Sequence, residues 1–375
     1  MIRNLKCISL ALAKQYTSIG GQAVIEGVMM RSPNAFVVAV RKPTGEIRLR
    51  RDQWFGLSQK FPFMNKPFLR GIIMLVEAMT NGIVALNYSA NIAMDEELKD
   101  EALKYGKTIE EYESKKKNDE SINWATYLTI GTSFIFGMGL FVFVPHAATE
   151  GLNRLLNLEW NLDGLYFHII DGSIKACVFV LYVKLISFFP DIKRVFQYHG
   201  AEHKTISTFE AGEELTVENA RKFSTLHPRC GTSFIFFLLF ISIIIFSGLF
   251  SILPIGVGLP PLPKHILAVG FKILFMIPIA GVAYEVIKFA GKNMDNIICR
   301  AVSFPGMMLQ KLTTGIPDDK QLEVALSSLK AALLLEEQNK LKETHKRILT
   351  LEEIDIKDLE SMESTSSNLK DFLEN

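Results

Sequence analysis

Two histidines and one glutamate lie within five consecutive residues, in the order His199-Gly200-Ala201-Glu202-His203. If this segment is helical, the four-residue spacing places His199 and His203 on one face, with Glu202 beside them. Imidazoles are good ligands for zinc, and a carboxylate near such an ion can take a proton from water. The segment therefore predicts a metal site, with Zn2+ or another divalent metal as its cofactor.

Further ligand-type side chains follow in the segment that ends at Cys230. His227 and Cys230 could complete a site of nitrogen and sulfur ligands, which suits a borderline-soft ion. Four protein ligands would close the site, and closed zinc sites are usually structural, so catalysis requires one position to stay open. Glu285, near the end of the last apolar run, is another candidate ligand or base.

Catalytic roles follow from the same chemistry. Glu202 is the candidate general base, and Arg229 and Lys204 are the candidates for stabilising a developing oxyanion. The order H-x-x-E-H is that of the inverzincins, but the analogy is local, because no convincing third ligand of that class follows. The alternative is structural, since histidines sit comfortably at a membrane interface and nearby basic residues could face anionic lipid headgroups.

The rest of the chain predicts how this segment is held. Of its 375 residues, 49% are hydrophobic and 22% are charged, which indicates membrane spans joined to aqueous segments. Asp171 and Lys175 fall inside one apolar run and could neutralise one another. The apolar runs predict four spans, Ile122 to Pro145, Leu165 to Phe189, Phe234 to Leu253 and His265 to Ile287.

Basic residues in the loops predict the orientation. Segments 146–164 and 254–264 each contain a single basic residue, whereas 191–229 contains six. By the positive-inside rule, the His/Cys segment and both termini face the cytoplasm. The expected location is a cell membrane, and the expected partner is the lipid bilayer.

The fold class predicted is an α-helical integral membrane protein of about four transmembrane helices, with a small N-terminal β-rich cytoplasmic domain and a C-terminal amphipathic helix. Residues 1–66 form the β-rich domain, because short apolar runs alternate with turn residues, and Glu26 could pair there with Arg31. Residues 67–121 hold an amphipathic helix, at the interface or packed on the sheet, and a charged linker. Residues 122–335 form the membrane domain, with the His/Cys loop at 190–233, and 336–375 form a charged tail.

Composition excludes several classes of protein. A formal net charge of +1 without a basic stripe gives no indication of nucleic-acid binding. The four cysteines have no framework spacing, so they do not predict a disulfide scaffold. The N-terminal segment from Met1 to Lys14 lacks the cleavage site of a signal peptide. The sequence does not indicate an oligomeric state.

The chain contains four motifs that, in the order in which they occur, resemble those of a known family. They are GGQAVIEGVMMR from Gly20, FQYHGAEHK from Phe196, HPRCGTS from His227, and LTT with PDD between Leu312 and Asp319. Together they resemble the DUF1385 (YqhQ-like) family of bacterial multi-pass membrane proteins, which is described as a family of predicted metal-dependent enzymes. The resemblance implies a metal site at the histidines, glutamate and cysteine already named, and implies no substrate. Gly315-Ile316 departs from the family, where charged residues are expected.

Two functions of different classes remain open. The first is a metal-dependent hydrolase acting on a lipid-linked substrate or a membrane protein. The second is a non-catalytic membrane scaffold, such as an assembly or insertion factor, in which a closed metal site fixes the cytoplasmic segment. A transporter is disfavoured, because the charged residues of the spans do not form a continuous path.

Overall fold

The computed structural model describes residues 19–54, 56, 61–104, 124–161, 164–253, 258–341 and 352–365. Four of its helical segments are long and apolar enough to cross a membrane, Leu69–Met94, Gly131–Leu155, Gly231–Ile252 and Leu262–Lys292. An antiparallel sheet of five strands accompanies them. The predicted class, a helical integral membrane protein with an N-terminal sheet, is confirmed. The N-terminal segment 1–18, the linker residues 105–121 and the start of the first expected span at 122–123 lie outside the described residues.

The sheet has its strands in the order in which they occur along the chain. The first four strands pair antiparallel through short polar turns, as the alternation of apolar runs and turn residues predicts. The last strand comes from the C-terminal tail and pairs with the fourth, with Ile356 opposite Ile47. The strands are β1 (Gly20–Val24), β2 (Gly27–Arg31), β3 (Ala35–Arg41), β4 (Ile47–Gln53) and β5 (Glu352–Ile356).

Ten α-helices account for most of the described chain. They are α1 (Leu69–Lys104), α2 (Trp124–Met138), α3 (Val144–Leu155), α4 (Leu165–Ile186), α5 (Pro190–Glu210), α6 (Val217–Arg221), α7 (Gly231–Ile252), α8 (Pro261–Lys292), α9 (Ile297–Thr313) and α10 (Asp319–Leu341). A five-residue π-helical turn, Gly139–Phe143, joins α2 to α3. The span expected at Leu165 to Phe189 forms α4, which is not among the four segments named above.

Helices cover both faces of the sheet, which explains why β3 reads as an unbroken apolar run rather than an alternating one. On one face, Val28 and Val37 pack against Tyr198 of α5 and against α10. On the other face, Val38 packs against Ala85 of α1. The sheet therefore fixes α5, which carries the two histidines, from one side.

The C-terminal helix differs from the prediction. The sequence predicts an amphipathic helix, but α10 is buried along most of its length, and Leu322, Leu326, Leu329 and Leu333 are at most 1% exposed. The reason is its place between the sheet and α5, where side chains on several of its faces meet other elements. The amphipathic character is therefore not confirmed.

The helix predicted at the membrane interface or on the sheet, α1, contacts the sheet, but its segment Leu69–Met94 is also long and apolar enough to cross a membrane, which the sequence analysis did not predict. The backbone N–H of Ile25 donates to Ser89 Oγ at 3.2 Å, and Arg31 binds Glu77 at 2.6 Å. Away from the sheet, Met79 and Ile83 are 60% and 57% exposed. One face of α1 thus meets the sheet, while another presents apolar side chains outward.

The charged pairs differ from those predicted. Glu26 binds Arg194 of α5 rather than Arg31, which instead binds Glu77 of α1. Asp171 lies 2.7 Å from Lys272 and 3.9 Å from Lys175, so its closer partner is on α8 and not on its own helix. In each case a residue distant in sequence supplies the shorter contact, because packing between elements brings it nearer than a neighbour along the chain.

Candidate metal centre

Three ligand-type side chains converge where α5 meets the beginning of α7. One potential ligand atom from each of His199, His203 and Cys230 lies within 4.8 Å of the others. His203 and Cys230 are buried, and His199 is half-buried. These three residues are called the His/His/Cys cluster below. Their proximity makes two nitrogens and one sulfur available to a single ion.

The geometry of α5 brings the two histidines together. The helix begins at Pro190, whose fixed φ suits the first turn, and Asp191 adds a negative charge at the positive end of the helix dipole. The helix continues without a break to Glu210, so residues four apart share one face. The His199 and His203 ring centroids accordingly lie 4.4 Å apart.

The backbone orients His199 towards the cluster. Its Nδ1 lies 2.9 Å from the carbonyl oxygen of Thr313, which can only accept a hydrogen bond, so Nδ1 carries the proton. The lone pair is then on Nε2, which lies 3.2 Å from Cys230 Sγ. A backbone carbonyl that fixes the tautomer in this way is typical of metal-ligating histidines.

His203 repeats the arrangement with a different carbonyl. Its Nδ1 lies 2.5 Å from the carbonyl oxygen of Thr225, which again leaves the lone pair on Nε2. That Nε2 atom is buried and has no hydrogen-bond partner among the described residues. Burial also lowers the pKa of the His203 imidazole, which favours the neutral form that binds metal. A buried imidazole nitrogen without a partner is costly unless it binds an ion or a water.

Cys230 supplies the sulfur from the N-cap of α7. Its Sγ accepts from the backbone N–H of Thr232 at 3.4 Å and lies 3.1 Å from the Thr232 hydroxyl. The positive end of the α7 dipole lies at this residue, and cysteine binds metal through its sulfur. The long apolar helix therefore begins at the residue that faces the two imidazoles.

His227, also predicted as a ligand, lies beside the cluster with other partners. Its ring centroid is 5.7 Å from that of His203. Its Nε2 lies 3.2 Å from Glu210 Oε2, and its Nδ1 accepts from the backbone N–H of Arg229 at 3.4 Å. The structure therefore brings three of the four predicted His and Cys ligands into one cluster and holds the fourth next to it.

Glu202 lies on the sheet side of α5. It is 5% exposed, and the backbone N–H of Gly21 in β1 binds its carboxylate. A Cβ atom at position 21 would lie 2.8 Å from Glu202 Oε1, so the glycine makes room for this side chain. Burial raises the pKa of Glu202, which lies near enough to His199 and His227 for their imidazoles to influence it. The carboxyl is thus within electrostatic reach of the cluster in a dry environment.

The other predicted site residues have partners outside the cluster. The ammonium of Lys204 donates to the carbonyls of Arg221 at 2.8 Å and of Phe223, so it holds the loop after α6. Arg229 binds Glu210 and is exposed beside His227. Glu285, on α8, binds Arg70 Nε at 2.6 Å, and the structure does not bring it to the cluster.

Three residues that position the site were not identified from sequence. Thr225 and Thr313 contribute only their carbonyls, which any residue type could supply; Thr313 falls in the fourth motif, but its residue type does not indicate this role. Glu210 binds both His227 and Arg229. Its position on the last turn of the helix that carries the histidines is the only indication that the sequence offers.

Close backbone contact brings the Thr313 carbonyl to His199. A Cβ atom on Gly200 would lie 2.0 Å from the carbonyl oxygen of Gly315, so only glycine allows this approach. The backbone N–H of Gly315 in turn donates to the carbonyl of Phe196 at 2.7 Å. Gly315, at the departure from the family pattern, therefore lies directly on α5.

The donor set fits a divalent ion of borderline softness. Two Nε2 lone pairs and one sulfur are brought together, and each imidazole is oriented by a backbone carbonyl on its other nitrogen. Zinc commonly binds imidazole and thiolate together, and three protein ligands leave one tetrahedral position for another group. This arrangement differs from the closed four-ligand site that the sequence also allowed.

The fold and the cluster define a multi-pass membrane protein with a possible metal-binding triad next to a span. Comparison with known proteins gives the family: the chain belongs to the DUF1385 family, described as "Protein of unknown function", whose model matches residues 66–335. The chain is also similar to "Uncharacterized protein YqhQ" of Bacillus subtilis (strain 168), with 35% identity over 329 residues, 85% of this chain and 94% of the relative. No solved structure matches the chain. The family predicted from the four motifs is confirmed.

Proposed function

We propose that this protein is a membrane-bound, metal-dependent hydrolase whose centre is the His/His/Cys cluster. The observation that carries the proposal is the convergence of His199, His203 and Cys230, which each place one ligand atom within 4.8 Å of the others. A divalent cation with an open coordination position supplies Lewis acidity and activates water at neutral pH. His199, His203 and Cys230 would hold it.

Glu202 is the residue best suited to accept the proton from water. Burial raises its pKa above that of an exposed glutamate, and a carboxylate with a raised pKa accepts a proton from water more readily. Gly21 holds the carboxyl by its backbone N–H. Arg229, exposed at the edge of the site, is the cation available to stabilise negative charge on a substrate. Lys204 has no such role in this proposal, because two loop carbonyls bind it.

The proposed substrate is associated with the membrane. Cys230 immediately precedes α7, which is one of the segments long and apolar enough to cross a bilayer. A metal centre at that position is accessible to lipid-linked molecules or membrane-protein segments close to the lipid boundary. The basic residues of 191–229 favour placing this side in the cytoplasm of a bacterial cell, with the sheet on the same side.

A second function is favoured by one specific feature. The three ligand-type residues and their carbonyl partners join α5, the loop containing Thr225, the start of α7 and the end of α9. An ion there would fix four segments at once, as in a structural metal site. In that case the protein is a scaffold for assembly or insertion of other membrane proteins.

Substitution of Glu202 by Gln distinguishes these two functions. Because glutamine keeps the shape but cannot accept a proton, we expect metal content to be unchanged and hydrolysis to fall by about 10²- to 10⁴-fold. The measurement is chelator-sensitive hydrolysis of chromogenic esters, phosphoesters and a labelled membrane protein in nanodiscs. Glu218→Gln, an exposed position on α6, is the matched control and should keep full activity.

The opposite outcome supports the scaffold. No chelator-sensitive hydrolysis of any of these substrates, together with a loss of thermal stability when the metal is removed, would overturn the hydrolase and leave a structural ion. Equal rates for the wild type and Glu202→Gln would also remove Glu202 from the mechanism.

A further inference from the structure

A cavity of about 280 Å³ opens between α4, α7, α8 and the π-helical turn. Most of its wall is apolar, with Phe179, Leu238, Phe246 and Met276 among the residues that line it. Three polar side chains interrupt this wall, namely Lys175, Ser242 and Lys272. Two ammonium groups in an otherwise apolar cavity within the membrane domain require an explanation.

The charges around the cavity do not balance. Lys272 lies 2.7 Å from Asp171 Oδ2 and is 4% exposed, so it forms a close buried pair. Lys175 lies 3.9 Å from the same carboxylate oxygen. Among the described residues, Asp171 is the only carboxylate within ion-pair distance of either lysine, so the two lysines share one carboxylate.

Other ionisable groups near Asp171 do not correct this imbalance. His146 Nδ1 lies 3.7 Å from Asp171 Oδ1, and His146 Nε2 lies 2.8 Å from Nδ1 of His265. Imidazoles are neutral or positive, so neither supplies a negative charge. Lys175 is therefore the cation with the weaker partner, and it lines the cavity.

We propose that this cavity binds a single-chain amphiphile with an anionic head group, with the head at Lys175 and the chain along the apolar wall. An uncompensated positive charge is costly within a membrane, and an anion lowers that cost. The apolar wall excludes small hydrated anions but favours an acyl chain. The volume is at the small end for ligand pockets, which suits one chain rather than a two-chain lipid.

The polar part of this cavity is separate from the His/His/Cys cluster, whereas its apolar wall extends to Ile235, four residues after Gly231. Ser242 lies eleven residues after Gly231 in one continuous helix, a rise of about 16 Å from the start of α7. Lys272 lies further from the cluster than Ser242 does. Its Nζ atom is 5.9 Å from the ring centroid of Phe250, which follows Ser242 by eight residues in α7. The inference therefore does not rest on the proposed hydrolase, and each can fail without the other.

The test uses the full-length protein in phosphatidylcholine nanodiscs and a palmitate analogue that carries a diazirine in its chain. After irradiation, crosslinked peptides are mapped and quantified by mass spectrometry. We expect crosslinks on the cavity-lining parts of α4, α7 and α8. Lys175→Met should lower their yield at least about tenfold, because one charge-assisted contact is lost.

Three controls separate charge, chain and folding. Lys184→Met makes the same change at an exposed position on the same helix and should bind as the wild type does. The corresponding alcohol, with the same chain and no charge, should crosslink weakly to all variants. If Lys175→Met fails to fold, Met276→Trp provides an independent test. It fills the cavity without changing its charge, so it should also lose the crosslink. Equal labelling by acid and alcohol, or wild-type labelling of Lys175→Met, overturns the proposal.

Discussion

A double variant with His203→Ala and Cys230→Ser is expected to purify without the metal that the wild type carries. The wild type should hold about one zinc or other divalent ion per chain, because three ligand atoms converge on one position. The double variant removes one of the two imidazoles and the thiolate, so its metal content should fall below about a tenth of an ion per chain. The measurement is elemental analysis by inductively coupled plasma mass spectrometry after gel filtration.

Two control variants make this result specific. Cys177→Ser changes an exposed cysteine on α4 and should retain the full metal content. His227→Ala is the sharper control, because that ring is bound to Glu210 and to the backbone N–H of Arg229 rather than to the cluster. It should also retain the metal. Loss of metal from His227→Ala with retention in the double variant would place the centre elsewhere.

The second large effect is expected from Gly200→Ala. A Cβ atom at this position would lie 2.0 Å from the carbonyl oxygen of Gly315, and a backbone atom cannot move aside as a side-chain end can. We expect a loss of about 1 to 3 kcal/mol in the free energy of unfolding, as for other overpacked positions. Because Thr313 lies two residues before Gly315, its carbonyl should also move from His199, and metal affinity should fall with stability.

The control for Gly200→Ala is the same substitution at a helical glycine with open space around it. A Cβ atom on Gly151 of α3 would have no neighbouring atom within 4 Å, so alanine there should be neutral or stabilise the helix by up to about 1 kcal/mol. Thermal unfolding in detergent and zinc titration measure both effects. A Gly200→Ala variant as stable as Gly151→Ala, with the metal affinity of the wild type, would show that the contact with Gly315 is not required.

The local parts of the site could be predicted from sequence. The four-residue spacing of His199 and His203 specifies one face of any helix, so the pair needed only a helical α5. Cys230 is recognisable by its type and by its place before a long apolar run. The turn residues around β3 and the apolar runs of α7 and α8 likewise act within a few residues of one another.

The contacts between distant segments could not be predicted. Which carbonyl binds each histidine depends on how the ends of α9 and α6 pack against α5, and carbonyls leave no signature in a sequence. The motif at Gly21 is recognisable as unusual, yet its reason is the side chain of Glu202, far along the chain. For the same reason, the sequence predicts only a charged tail where β5 forms, since its pairing with β4 depends on the edge that the sheet exposes.

X-ray absorption spectroscopy of the zinc-loaded protein tests the central claim most directly. The His/His/Cys cluster predicts two nitrogen scatterers at about 2.0 to 2.1 Å and one sulfur at about 2.3 Å, with lighter atoms completing the coordination. In Cys230→Ser the sulfur contribution should disappear. A spectrum of nitrogen and oxygen alone in the wild type, or an unchanged sulfur signal in Cys230→Ser, would contradict a metal centre at this cluster.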